Sequence, residues 1–287
     1  MKNRIIAISV VALALLCSCK DDEKIPIDTN TYHPSSRFTF SISMGQAESM
    51  TNDILITALN FINDSSLWTR SGFPSVSTSS DTSYPRTITI DFGSADTTTL
   101  FPETADNRPR SGQMSITLSD HWRNNGSHMV ITANSLKLSQ MMTFDGVVEF
   151  ANRGLLYYQQ HLYPTFDLVI NNATITKYDT SIFNYSATKI YRITKGDSTT
   201  TVKDDTFVIT GTAEATQDTS AINLEIAGPY SAPHSCFWFR EGQAKITEGT
   251  VRKTINFFND RCSPMAILQY RNNDNTGESM QRYIDLP

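Results

Sequence analysis

The chain has 287 residues, with 24 Lys and Arg against 29 Asp and Glu, a formal net charge of −5. Its basic residues are scattered through an acidic chain, so there is no electrostatic footprint for nucleic acid, and nucleic-acid partners are set aside. The length suits one large domain or two modest ones with a real core. Thr, Ser and Asn outweigh long aliphatic helix formers, which favours strands and loops.

Residues 1–18 read as a signal peptide. Lys2 and Arg4 form a basic start, and residues 5–16 are an unbroken apolar and small run of twelve. That run is too short to span a bilayer as a helix and suits a signal-peptide core. It ends in Leu16-Cys17-Ser18-Cys19, which resembles a bacterial lipobox with Cys19 as the lipidated residue. Cys17 fits less well, because Leu16 would then precede the cleavage point. Each buried acyl methylene adds about 0.8 kcal/mol, so several chains would hold the protein on a membrane with no spanning helix. Lys20-Asp21-Asp22-Glu23 resembles the export signal that sends Bacteroidota lipoproteins to the outer face of the outer membrane. The expected address is therefore the outer membrane, lipid-anchored and facing the cell exterior. Without residues 1–18 the chain holds 22 basic and 29 acidic side chains, a net charge of −7.

Residues 19–36 carry Pro26 and Pro34 with no periodicity, and read as the lipidated Cys and a flexible tether. Residues 37–287 read as a single β-rich ectodomain. Arg37-Phe38-Thr39-Phe40-Ser41-Ile42-Ser43 alternates strictly and is expected as a half-buried strand. Met50, Ile54, Leu55, Ala58, Leu59 and Ile62 then fall on one helical stripe. Ser43 and Gln46 look like a capping box at the start of that helix, which is expected to cover one side of a sheet.

Residues 65–84 read as a Ser/Thr/Pro/Gly-rich loop holding Trp68 and Phe73. From Arg86 the pattern is a meander. Strands are expected near 86–92, 114–118, 128–138, 146–151, 165–171, 173–178, 182–194, 205–213, 220–227, 236–247, 251–258, 264–271 and 279–286. Asn171-Asn172 and Glu248-Gly249 are expected as hairpin turns. Short connections and the lack of helical crossovers imply antiparallel pairing. The fold class is therefore mainly β: a large antiparallel meander, a curved sheet or a sandwich, with one N-terminal amphipathic helix. Thr89-Ile90-Asp91-Phe92 echoes Thr254-Ile255-Asn256-Phe257, which suits either a faint duplication or two amphipathic strands met by chance.

Cys236 and Cys262 each lie thirteen residues from Gly249, which places them near one another across a hairpin. After export a disulfide between them is expected. A two-residue turn leaves them one residue out of register, and a β-bulge would restore the pairing. The closed loop of about 25 residues would contribute on the order of 3 kcal/mol.

No metal site is expected, since no His lies at ligand spacing from a Cys, and no cofactor motif is present. Asp120-His121 resembles half of a dyad, but neighbours on a strand face opposite ways. Carboxylates for glycoside hydrolysis on a β scaffold stay open, since any two strands can supply them. For binding, Trp68 and Trp122 lie in or near loops and are the exposed candidates for glycan contact. Trp238 sits in the apolar run Cys236-Phe237-Trp238-Phe239 and is expected in the core. Asp96-Thr97-Thr98 and Asp197-Ser198-Thr199 match a Bacteroidota O-glycosylation pattern at Thr97 and Ser198.

Several segments together resemble a group of uncharacterised Bacteroidota surface lipoproteins. They are Arg86-Thr87-Ile88-Thr89-Ile90-Asp91-Phe92-Gly93, Arg110-Ser111-Gly112-Gln113-Met114, Asp205-Thr206-Phe207-Val208-Ile209-Thr210-Gly211-Thr212, and the pattern Cys236, Trp238, Arg252 to Phe257, Cys262. Residues 94–109 lack the Cys that relatives often carry there. The resemblance implies an all-β ectodomain and carries over no functional residue. The functional expectation is a non-enzymatic surface lipoprotein that binds an extracellular glycan or assembles with a surface protein. The alternatives are glycan capture for an uptake system and a hydrolase on the same scaffold.

Overall fold

A computed structural model describes residues 36–69, 74–79, 83–94, 99–100, 109–138, 142–258, 263–271 and 279–287. The signal peptide, Cys19, Lys20 to Glu23, Thr97 and Cys262 lie outside the described residues.

One long helix, α1 (Ser36–Asn63), is followed by a short 3-10 turn (Ser65–Trp68) and fourteen strands. These are β1 (Ser75–Thr78), β2 (Arg86–Asp91), β3 (Thr99–Leu100), β4 (Pro109–Leu118), β5 (His128–Leu138), β6 (Met142–Tyr158) and β7 (His161–Lys177). They continue as β8 (Ile182–Lys195), β9 (Thr206–Gln217), β10 (Ser220–Pro233), β11 (Glu241–Glu248), β12 (Val251–Phe258), β13 (Met265–Arg271) and β14 (Ser279–Asp285). All pair antiparallel in one sheet, ordered as in the sequence except that β3 sits beside β4, off the main path. This is a meander, as expected from the short connections. No helix among the described residues is long and apolar enough to cross a membrane.

The first correction concerns residues 37–43, which are helix and not strand. The reason is where they sit. Every side chain from Phe40 to Leu59 is buried except Ile42, which is partly so. A strand there would need ladder partners, whereas a helix satisfies its own backbone groups. The polar residues of α1 are buried too, and several bond back into their own helix. Ser43 Oγ donates to the Thr39 carbonyl at 3.0 Å, and Thr51 Oγ1 to that of Ala47 at 2.9 Å. Gln46 reaches the Asp285 carbonyl on β14, so Ser43 and Gln46 form no capping box.

The sheet curls around this helix. Partners of α1 come from β4 (Arg110), β8 (Tyr185, Lys189), β12 (Lys253), β14 (Asp285) and the loop after β10 (Phe237). Two ion pairs tie helix to sheet in the dry interior: Asp53–Arg110 at 2.9 Å and Glu48–Lys189 at 3.1 Å, all four side chains at most 1% exposed. Tyr185 donates to Glu48 at 2.6 Å. Burial, then the Glu48 charge, holds the Tyr185 hydroxyl pKa well above its ordinary value, so it stays a donor. Gly45 marks the closest approach, where a Cβ would lie 2.8 Å from Ile255 Cδ1.

Asn171-Asn172 is not a turn. Asn172 has φ 51°, and the β7–β8 register shifts between Ile170 and Ala173. It is a bulge inside one 17-residue strand, which bends the strand around the helix. The β11–β12 hairpin does turn where expected, with Glu248 opposite Val251 and Gly249 at φ 57°. Residues 234–240 form a loop, buried except at Ser235 and Arg240, so the strand expected from 236 begins only at Glu241. Residues 65–84 hold β1 as well as loop.

Candidate functional site

Sheet register builds the site. Outward-facing residues on successive strands line up in rows across the ladders. One row runs Ser186, Glu214, Asn223, Thr247, Arg252 across β8 to β12. The next runs Thr188, Thr212, Glu225, Lys245, Thr254, Gln269 across β8 to β13. Strands lie about 4.8 Å apart, so the longer row spans roughly 24 Å. Both rows line a groove of about 1310 Å³ that no residue of α1 touches, so it lies on the outer face of the sheet. Tyr270, half-buried, contributes the aromatic surface.

The groove is polar and close to neutral. Glu214 and Glu225 are balanced by Lys245 and Arg252, with Glu225 directly opposite Lys245. Lys253 also borders it, but its ammonium turns inward to Glu248 at 2.7 Å and Ser41 at 2.8 Å. Hydroxyl, amide and charged groups at strand spacing suit a long ligand with repeated hydroxyls. Glu214 pairs with Asn223, so Glu225 is its diagonal neighbour two residues along β10. Diagonal neighbours lie about 7–8 Å apart.

The residues singled out from the sequence fall elsewhere. Trp122 is 2% exposed, its indole N–H donating to Asn63 Oδ1 at 3.1 Å. It plugs the end of the core against Phe166 and offers no face to a sugar. Trp68 is half-buried; it donates to the Phe61 carbonyl at 2.9 Å, and the Arg86 guanidinium lies 4.8 Å from its ring. The expected exposed pair is therefore a core residue and a partly covered one. The reason is that α1 ends beside both and needs their N–H donors. Trp238 is buried as expected, bonded to the Pro287 carbonyl at 3.0 Å. Ser198 lies in an exposed turn. Cys236 is 1% exposed and disulfide-bonded. Asp120-His121 lies in a turn, with Asp120 bound to Asn124 and to the His121 amide.

A second polar cluster closes the end of the core near Asn60. Arg123 pairs with Asp205 at 2.6 Å, and His234 bonds Asn60 at 2.8 Å. Burial pushes Asp205 up to about 6, against the pull of Arg123. Burial, with the Arg123 and Lys203 charges, pushes His234 down to about 4. This cluster joins loops 119–127 and 196–205 to α1. Among the described residues no three His, Cys, Asp or Glu side chains are grouped as a metal site requires.

Comparison with protein families, curated proteins and solved structures finds no match.

Proposed function

We propose that this protein is an outer-membrane lipoprotein, exported to the cell surface, that captures a neutral glycan without cleaving it. The observation that carries the binding role is the neutral, polar groove of about 1310 Å³ on the outer sheet face. Side chains from six strands present donors and acceptors there at regular spacing, as a polysaccharide's hydroxyls would use. Its balanced charge disfavours anionic polymers. The address rests on Cys19 after Leu16-Cys17-Ser18 and on Lys20 to Glu23. In that compartment Cys236 pairs with Cys262.

A glycan array probed with the full chain tests the binding role. Binding to neutral polysaccharides that falls at least tenfold in Glu225→Ala and Arg252→Ala is the expected result. Binding unchanged by both variants would remove the groove from the reading. Protease treatment of intact cells tests the address, since the protein should vanish before lysis. The placement of Glu214 and Glu225 as diagonal neighbours on β9 and β10 supports one second reading, a glycoside hydrolase that uses these two carboxylates. Release of reducing ends from a bound glycan, abolished by Glu214→Gln or Glu225→Gln, would establish that reading in place of capture.

A further inference from the structure

Inside the curled sheet, five side-chain atoms have no hydrogen-bond partner among the described residues. They are Glu48 Oε2, Ser49 Oγ and Asn52 Oδ1 on α1, and the hydroxyls of Tyr191 on β8 and Tyr230 on β10. All five residues are 0% exposed. A buried polar atom without a partner is costly, and native interiors hold few of them.

The fold groups these five. Glu48, Ser49 and Asn52 lie on one side of α1, because residues three and four apart are neighbours on a helix. Tyr191 and Tyr230 both stand opposite Ile209 of β9, so they share the inner face of the sheet two strands apart, about 10 Å at the backbone. Their rings are held edge-on by Phe207, 5.7 Å from Tyr191, and Phe257, 5.0 Å from Tyr230. Both hydroxyls feel the Glu48 carboxylate. Burial first, and then the Glu48 charge, hold their pKa values well above the ordinary tyrosine range, so each stays an O–H donor. Gly211 stands opposite Lys189, so the inner face carries no side chain at that place on β9. In the same stretch β10 slips its register with β9, between Glu225 and Tyr230.

We propose that the seam between α1 and strands β8–β10 binds a small cluster of ordered water molecules that bridges Glu48 to Tyr191 and Tyr230. The chemistry of the five atoms selects water. Glu48 Oε2 and Asn52 Oδ1 can only accept, so the occupant must donate; the tyrosine and serine hydroxyls can donate to it in turn. Charge selects a neutral occupant. Glu48 Oε1 already takes the Tyr185 hydroxyl at 2.6 Å and the Lys189 ammonium at 3.1 Å, so the ion pair is complete. An added ion would bring an uncompensated charge into the interior. Full burial of the five residues gives a larger solute no open route to them. A buried water makes about three hydrogen bonds to groups of this kind. The site is independent of the groove, which lies on the opposite face of the sheet.

The test is a high-resolution crystal structure of the full chain carrying Cys19→Ser, with urea titrations of Tyr191→Phe and Tyr230→Phe beside it. Ordered water bonded to Glu48 Oε2 and to at least one of the two tyrosine hydroxyls is the expected result. Each variant keeps its ring, so packing is preserved and only the hydroxyl is lost. Both urea midpoints should fall, because each hydroxyl gives up a bond to water. A hydroxyl with no partner would be better removed, and its loss would raise the midpoint. A dry seam, an ion or organic molecule in it, or either midpoint holding steady or rising would overturn the proposal.

Discussion

Arg110 shows what a single residue holds in place. Its guanidinium is 0% exposed and meets Asp53 inside the sheet. Removing one partner of a buried pair leaves the other uncompensated, at a cost of about 3–5 kcal/mol. Arg110→Met should therefore lower unfolding free energy by that amount in urea titration. Arg110→Met with Asp53→Leu should recover most of it. Asp205 and His234 make a second residue-scale case. The raised Asp205 pKa means the folded state binds the extra proton, so its contribution is present below about pH 4 and is lost as pH rises through about 6. The lowered His234 pKa acts the other way: its contribution is present above about 6.5 and is lost as pH falls through about 4. Between about pH 4 and 6 the two oppose each other. Denaturant midpoints should show stability rising with pH across that window in Asp205→Asn and falling in His234→Gln.

At the scale of elements, α1 is an interior strut. A buried helix needs close approach somewhere, and Gly45 provides it beside Ile255 and Ile284. Gly45→Val puts a branched side chain where a Cβ is already tight, and should cost about 1–3 kcal/mol by overpacking in thermal unfolding. The bulge at Asn172 is the counterpart in the sheet. Its φ of 51° suits Asn or Gly, so Asn172→Gly should be near neutral. Asn172→Val should lose about 1–2 kcal/mol. The Asn-Asn pair was legible as a place needing positive φ. Whether that φ would serve a turn or a bulge depended on β8 continuing alongside it, which no local signal carries.

For the whole molecule, helix and sheet form one cooperative unit, because the inner face of the meander has α1 as its counterpart. The chain lacking residues 36–63 should give no near-ultraviolet circular dichroism and an expanded radius in solution, since the sheet's apolar face would then surround a void. The proposed Cys236–Cys262 bridge would add to this unit. Reduction should then lower the thermal midpoint, with a loss on the order of 3 kcal/mol for a loop of about 25 residues.

The sequence by itself determined most of the strands, their antiparallel order and the existence of the helix; β6 was legible only over 146–151 of Met142–Tyr158, and β1 and β3 were not legible at all. Period-two alternation and short turns are local properties, and the bounds expected for β5, β8 and β12 match those observed within one residue. Only the tertiary structure decided what the local patterns meant at residues 37–43 and at Trp122. There the burial of the helix from Phe40 to Leu59, polar face included, overrode alternation and loop composition. The groove was hidden for a related reason. Glu214, Glu225, Lys245 and Arg252 each read alone as one more solvent-facing residue of a strand. Ladder register, a property of strand pairs, brings them side by side.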